Sequence, residues 1–211
     1  MNKTLPFLMT LGLLAACAPA GPSLPPVAYQ DNFDDTDSGW AAEAFDTGEN
    51  SYQGGGFRML LSATDWFSWV VNPTAAVYSD VRVEADTHKI GGPDANEFGI
   101  LCRVNYDESN FYVGAITSNG QFAIYKNLGD SALEFVGMAA MGFSPAIKLG
   151  EELNHLRFDC VGNTLTLYAN DTQLVQVTDE TLPEGEAGLY IGTFDEAGTE
   201  ILFDNFVVYK P

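Results

Sequence analysis

Two carboxylates stand two residues apart at Glu84 and Asp86, within a run from Val77 to His88 whose apolar and polar positions alternate. Side chains at i and i+2 of a strand leave the same face, with alpha carbons about 7 Å apart. Paired carboxylates are what glycoside hydrolysis requires, one as acid/base and the other as nucleophile or base. Here His88 and Lys89 occupy the places where a second glutamate would stand as proton donor. A solvated strand face is therefore the simpler expectation for Glu84 and Asp86, and catalysis the sharper one.

Three other sets of residues carry chemical potential. Asp31, Asp34, Asp35 and Asp37 open the expected fold, and Asp204 or Asn205 from the last strand can complete them. Hard oxygen ligands from a loop and a neighbouring strand suit calcium, so Asp31, Asp34 and Asp204 form a candidate calcium set, although the spacing is not that of an EF-hand. Arg103 with Leu101 on one strand, Phe111 or Tyr112 on the next, and Tyr125 and Lys126 on a third make a candidate glycan platform. Aromatic planes meet the C–H faces of sugars, and fork-shaped or amide groups meet their hydroxyls. Trp66 and Trp69 differ in parity, so a regular strand exposes at most one of them, and Trp66 joins the candidate binding residues; Trp40, after Ser38-Gly39, is expected to plug an end of the fold. His88 and His155 stand apart without the spacing of a zinc site, and no nucleophile elbow, phosphate loop or dinucleotide fingerprint occurs.

The elements that must position these residues are strands. From Asn96 to Lys126 three apolar-alternating runs are separated by turn residues, the pattern of an antiparallel meander; Phe98, Ile100, Cys102 and Val104 share the expected core parity, while Leu101 and Arg103 face the other way. Phe57–Ser62, Trp66–Val71, Leu156–Cys160, Leu165–Ala169, Gln173–Val177, Gly188–Phe194 and Ile201–Lys210 continue the pattern. Gly54-Gly55-Gly56, Gly91-Gly92-Pro93, Ser118-Asn119-Gly120 and Asn170-Asp171 mark the reversals between such runs. A dozen or so strands and no convincing helix predict an all-β, single-domain sandwich of two antiparallel sheets, a jelly roll. Cys102 and Cys160 both lie at inward parity, and in an oxidising compartment they are expected to form a disulfide between adjacent strands.

Residues 1–16 read as a leader: Lys3 is the positive region and Leu5–Leu14 the apolar one, too short to remain as a membrane span. The run ends in Leu14-Ala15-Ala16-Cys17, which resembles the lipobox of bacterial lipoprotein precursors. That resemblance implies cleavage before Cys17 and acylation of its sulfur, hence a membrane partner through two or three acyl chains. Residues 17–29 contain four prolines and no charge, an extended tether of about 3 Å per residue that would hold a domain, residues 30–211, roughly 30 to 40 Å from the lipid. Ala18 after the cysteine implies, by the same resemblance, the outer membrane in a Gram-negative envelope. The chain carries 29 acidic against 9 basic residues, a net charge of −20. A field of that sign repels nucleic acid, anionic lipid and anionic polysaccharide, and disfavours them as partners.

Several segments carry a family resemblance: DNF followed by SGW, EFGILCR, NFYVGAI, NTLTLYANDTQL, AGLYIGT and the closing FDNFVVY. They look like the concanavalin A-like, laminin G-like sandwich domains of bacteria and, more narrowly, the domain named after 3-keto-disaccharide hydrolases. The likeness spans about Gln30 to Pro211 and rests on turns and core strands. It implies that first and last strands lie side by side, and that sugars are bound, or in some members cleaved, on a concave sheet. Glu84-Ala85-Asp86 resembles part of the ExDxE motif of laminarinase-type glycosidases, broken at His88 and Lys89. The expected function is a lipid-anchored module of the cell envelope that binds a neutral glycan or serves adhesion. The alternatives are a glycoside-acting enzyme of the keto-disaccharide hydrolase type and a structural lipoprotein without a small ligand.

Overall fold

The computed structural model describes Met1 and residues 25–129 and 132–211. The expected leader, the expected acylation at Cys17 and the expected tether up to residue 24 fall on residues outside the described ones. In chain order the strands are β1 Val27–Asp31, β2 Ala44–Phe45, β3 Gly48–Gln53, β4 Gly56–Leu61, β5 Trp66–Val71, β6 Val81–Gly91, β7 Glu97–Asn105, β8 Asn110–Thr117, β9 Gln121–Leu128, β10 Glu134–Phe135, β11 Gly142–Phe143, β12 Asn154–Val161, β13 Thr164–Ala169, β14 Thr172–Thr178, β15 Glu186–Thr193 and β16 Thr199–Tyr209. No helix occurs among the described residues. Strand β1 begins at Val27, within the segment expected to be the tether.

The strands form two antiparallel sheets, a jelly-roll sandwich. Nine lie in the order β14-β13-β12-β6-β16-β4-β3-β2, with β1 also pairing β16; seven lie in the order β10-β9-β8-β7-β15-β5, with β11 on β9. The first and last strands are neighbours, Asp31 opposite Phe206, as the family resemblance implies. In the nine-stranded sheet β6 and β12 alternate strictly. Along β6, Val81, Val83, Ala85, Thr87 and Lys89 are buried, while Arg82, Glu84, Asp86 and His88 face outward half-buried. Period-two patterning therefore reports one covered face. Between the sheets lies a core in which Phe57, Phe98, Phe158, Phe203 and Phe206 are each at most 1% exposed. Trp40 closes one end of it, packed edge-on against Phe33 and Phe206, with its indole N–H donated to Asp31 and Tyr29.

The seven-stranded sheet departs from the expected single covered face. Its strands β7, β8, β9 and β15 are buried at nearly every position. Their outward residues Leu101, Val104, Phe111, Val113, Ala123, Tyr125 and Tyr190 form a second apolar cluster. The sheet curls until Phe67 and Trp69 on edge strand β5 lie 6.0 and 5.7 Å from the ring of Phe111, across β15 and β7. Leu133 and Met141 pack against the cluster as well. Runs apolar at both parities, such as Phe111 to Ile116, signal burial on both faces, not an open platform.

The Cys102–Cys160 disulfide forms, but it joins β7 of one sheet to β12 of the other and not two adjacent strands. Inward parity on facing sheets brings two sulfurs together across the core, and the alternation of one strand cannot distinguish that from lateral pairing.

Candidate functional site

The structure disperses the sequence-derived candidates. Arg103, expected outward beside Leu101, is 2% exposed. It sits in a bulge where the register of β7 on β8 shifts between Cys102 and Asn105, and its φ is +53°. The extra residue returns Val104 to the outward cluster and turns the guanidinium toward one end of the sandwich, where it donates to the carbonyls of Ser79 at 3.0 Å, Leu182 at 3.0 Å and Gly162 at 2.5 Å. These bonds engage Nε, Nη1 and Nη2, so the side chain ties loops together and is not placed on an open face. Gly185 permits the bulge, since a Cβ there would meet the Arg103 carbonyl carbon at 2.3 Å.

Tyr112 points into the inter-sheet core, its hydroxyl donating to Asp179 at 2.5 Å and accepting from the Leu182 N–H. Tyr125 does face outward but is 4% exposed beneath Phe135, whose ring lies 4.8 Å away. Trp66 is 51% exposed on the edge strand, in keeping with its assignment as the accessible member of the pair. Among the described residues no three His, Cys, Asp or Glu side chains are gathered as a metal-ligand group. Asp31 Oδ1 accepts the Phe33 N–H, and Oδ2 accepts from Trp40 and Tyr29; Asp34 accepts from Asn32, and Asp204 from its neighbour Asn205.

Glu84 and Asp86 share one face, as their spacing requires, with His155 of β12 between them. Its Nδ1 is 2.8 Å from Asp86 and its Nε2 3.7 Å from Glu84. Hydrogen bonding to Asp86, then to Glu84, raises the His155 pKa to about 9. Asp86 is held below the ordinary carboxylate value by its bond to His155 and, further, by the Asn205 amide at 2.9 Å. The group is thus a closed ion-pair network on the outer face of the nine-stranded sheet, with Asp86 fully engaged.

Sequence reasoning missed two residues. The first is Glu97, the sole acid among the outward residues of β7, 2% exposed under the second apolar cluster. Tyr190 donates its hydroxyl to Oε1 at 2.6 Å, while Oε2 has no partner among the described residues. Burial raises its pKa to about 7, against the lowering effect of the Tyr190 and Tyr125 hydroxyls. Because the folded state favours the protonated form, this group's contribution to stability is full below its unfolded value near 4.5 and declines as pH rises to about 7. Glu97→Gln removes that loss: relative to the parent it should gain on the order of 3 kcal/mol at pH 8, and the gain should vanish near pH 4, as read by urea unfolding at both pH values. A pH-independent difference would refute the buried-acid account.

The second is Asn50 of β3, which lines a cleft on the open side of the sandwich, where edge strand β2 of one sheet faces edge strand β5 of the other. The cleft comprises two adjoining hollows of about 690 and 700 Å³ that share Glu43, Asn50 and Trp69. One wall is Glu43, Phe45 and Asn50, and the other runs along Trp66–Val71. The turn residues Tyr106 and Asp107 with Glu184 and Glu186 close one end. Tyr106 is 63% exposed and stands edge-on to Trp69 at 5.1 Å. Asn50 is 5% exposed and its Oδ1 has no partner among the described residues, unlike Asn72 in the same cleft, which donates to Ala187 and accepts from Thr74. Burial, and then the negative charge of Asp107, raise the pKa of Glu186. An unsatisfied buried acceptor, exposed aromatic surface and a carboxylate rim together suit a ligand that brings hydroxyl or N–H donors on an apolar frame and no negative charge. Asn50 carries no local sequence signal, because its meaning depends on two sheet edges meeting.

No protein-family model matches the sequence, and no curated sequence relative is found. Solved structures do match. The carbohydrate-binding module CBM66 from Bacillus subtilis superposes with a TM-score of 0.65 at 19% identity, covering 82% of this chain and 96% of that one. A Bacillus subtilis protein of unknown function with a galectin-like fold gives 0.65 at 12% identity, covering 89% and 97%. A glycoside hydrolase family 16 enzyme of the Bacteroides ovatus mixed-linkage glucan locus gives 0.59 at 10% identity, covering 86% and 100%. At such identities the likeness concerns architecture alone, and the architecture is that of a two-sheet jelly-roll sandwich.

Proposed function

We propose that this protein binds a neutral glycan in the cleft between β2 and β5, as a non-catalytic module held outside the cytoplasmic membrane by an acylated Cys17. The observation that carries the reading is the Asn50 Oδ1 acceptor, buried and unpartnered at the wall of a cleft that also presents Trp69 and Tyr106. A sugar hydroxyl supplies the missing donor, the rings receive C–H faces, and Glu43, Asp107, Glu184 and Glu186 accept further hydroxyls while repelling anionic chains. Similarity in fold to a carbohydrate-binding module and to a glucan-acting hydrolase supports the same ligand class. The glycoside-acting alternative draws no support from Glu84 and Asp86, whose partner His155 binds them in a closed network.

A neutral-glycan array followed by calorimetry tests the reading. Asn50→Ala should weaken binding of the best glycan about tenfold, the worth of one hydrogen bond to a buried acceptor, with no loss in melting temperature. Tyr106→Ala should weaken it to a similar degree. Absence of saturable binding to any neutral glycan would reject the proposal.

A further inference from the structure

Beside the cleft lies a smaller hollow of about 230 Å³, below the range of drug-sized ligand pockets and suited to a single ring. Its walls are Trp66, Phe67 and Trp69 of β5, and at its rim stand Asp65 and Ser109. On its far side is Asn127 of β9, 2% exposed, with an Oδ1 that finds no hydrogen-bond partner among the described residues. Strand β9 is four places from β5 in the sheet, and the two meet here because the sheet curls; Phe111, directly opposite Asn127 in the β8–β9 register, is the ring that Phe67 and Trp69 reach. An amide oxygen buried without a donor costs free energy in the empty state, which a ligand hydroxyl recovers. The aromatic wall favours a group with C–H faces over a free ion or a lone water.

Trp66, Phe67 and Trp69 line both this hollow and the cleft, so the two sites stand on either side of one aromatic strand, each with an unpartnered asparagine oxygen. We propose that the hollow is a second subsite, in which Asn127 accepts a hydroxyl from one sugar ring, and that the ligand is an oligosaccharide crossing the exposed Trp66 from one asparagine to the other. This assignment rests on the glycan reading of the cleft, and one experiment separates the two. The full-length chain, labelled with nitrogen-15, is titrated with methyl glycosides of glucose, galactose and mannose, and the side-chain amide signals of Asn50 and Asn127 and the indole signals of Trp66 and Trp69 are followed.

The expected result is saturable shifts at both asparagines. Asn127→Ala should abolish the shifts at the Trp66 side of the hollow, leave those at Asn50, and weaken an array-selected oligosaccharide about tenfold. Trp66→Ala, at an exposed edge position that the core does not need, should weaken the oligosaccharide as well and leave the protein folded. Shifts at Asn50 alone, with oligosaccharide affinity kept in both variants, would overturn the second subsite and leave the cleft. Shifts at Asn127 alone would keep the hollow as a single-ring site and overturn both the cleft reading and the crossing ligand. Silence at both asparagines would reject both sites.

Discussion

Arg103→Ala should destabilise the protein by about 4 kcal/mol, because it strips the donors from three backbone carbonyls at a site that water reaches poorly. Hydrogen bonds from a charged donor contribute roughly 1.5 to 3 kcal/mol each, and partial access of water to the vacated space reduces the sum. The partners belong to three separate segments, at Ser79 before β6, Gly162 between β12 and β13, and Leu182 before β15, so one side chain fixes a whole corner of the sandwich. The carboxylate of Asp80 is a weaker participant. It is 4.0 Å from the guanidinium and half exposed, and its main role is to accept the Gly162 N–H at 2.7 Å. Arg103→Lys should recover only part of the loss, since an ammonium cannot address three carbonyls in the fork geometry. Urea unfolding monitored by tryptophan fluorescence measures all of this. A loss below 1 kcal/mol for Arg103→Ala would mean that the corner is held by other contacts.

Replacing Cys102 and Cys160 together with alanine should cost about 4 kcal/mol, the loop-closure entropy of a cross-link spanning 58 residues, less whatever structure the unfolded chain retains. The cross-link is adjacent in sequence to the Arg103 corner on one side, and two residues from Gly162 on the other. Both devices therefore hold the segment at residues 102–103 to that at residues 160–162, and their contributions should not add. In the triple variant with Arg103→Ala the total loss should fall short of the summed losses by about 1 kcal/mol, because a corner freed by one change gains less order from the other. Strict additivity in a thermodynamic cycle would show that the disulfide and the arginine stabilise separate parts of the molecule.

Much of the fold could be read from local pattern. The period-two alternation of β6 and β12 and the glycine and asparagine turns between strands are local properties, and the structure follows them closely. Inward parity at Cys102 and Cys160 was also readable, but the partner sheet was not, since parity names a face and not what lies opposite. Arg103 shows the limit most plainly. Its position in an unbroken alternation makes it an outward residue, and only a bulge, at the close approach of Gly185 just before β15, turns it inward. Tyr112 and Tyr125 follow the same logic, their exposure being decided by Asp179 from a distant segment and by Phe135 of the next strand, which folds back over Tyr125.

By itself, then, the sequence determined an all-β chain of two antiparallel sheets with a strongly acidic surface, because side-chain alternation, turn chemistry and charge act over a few residues or over none; the pairing of first and last strands followed only from the family resemblance. The tertiary structure alone decided that the outward face of the meander is filled by its own aromatic residues, and that the openings lie instead along edge strand β5, beside Asn50 and Asn127. The curl of a sheet and the meeting of two sheet edges are sums over strands far apart in the chain, and no single stretch of sequence records them.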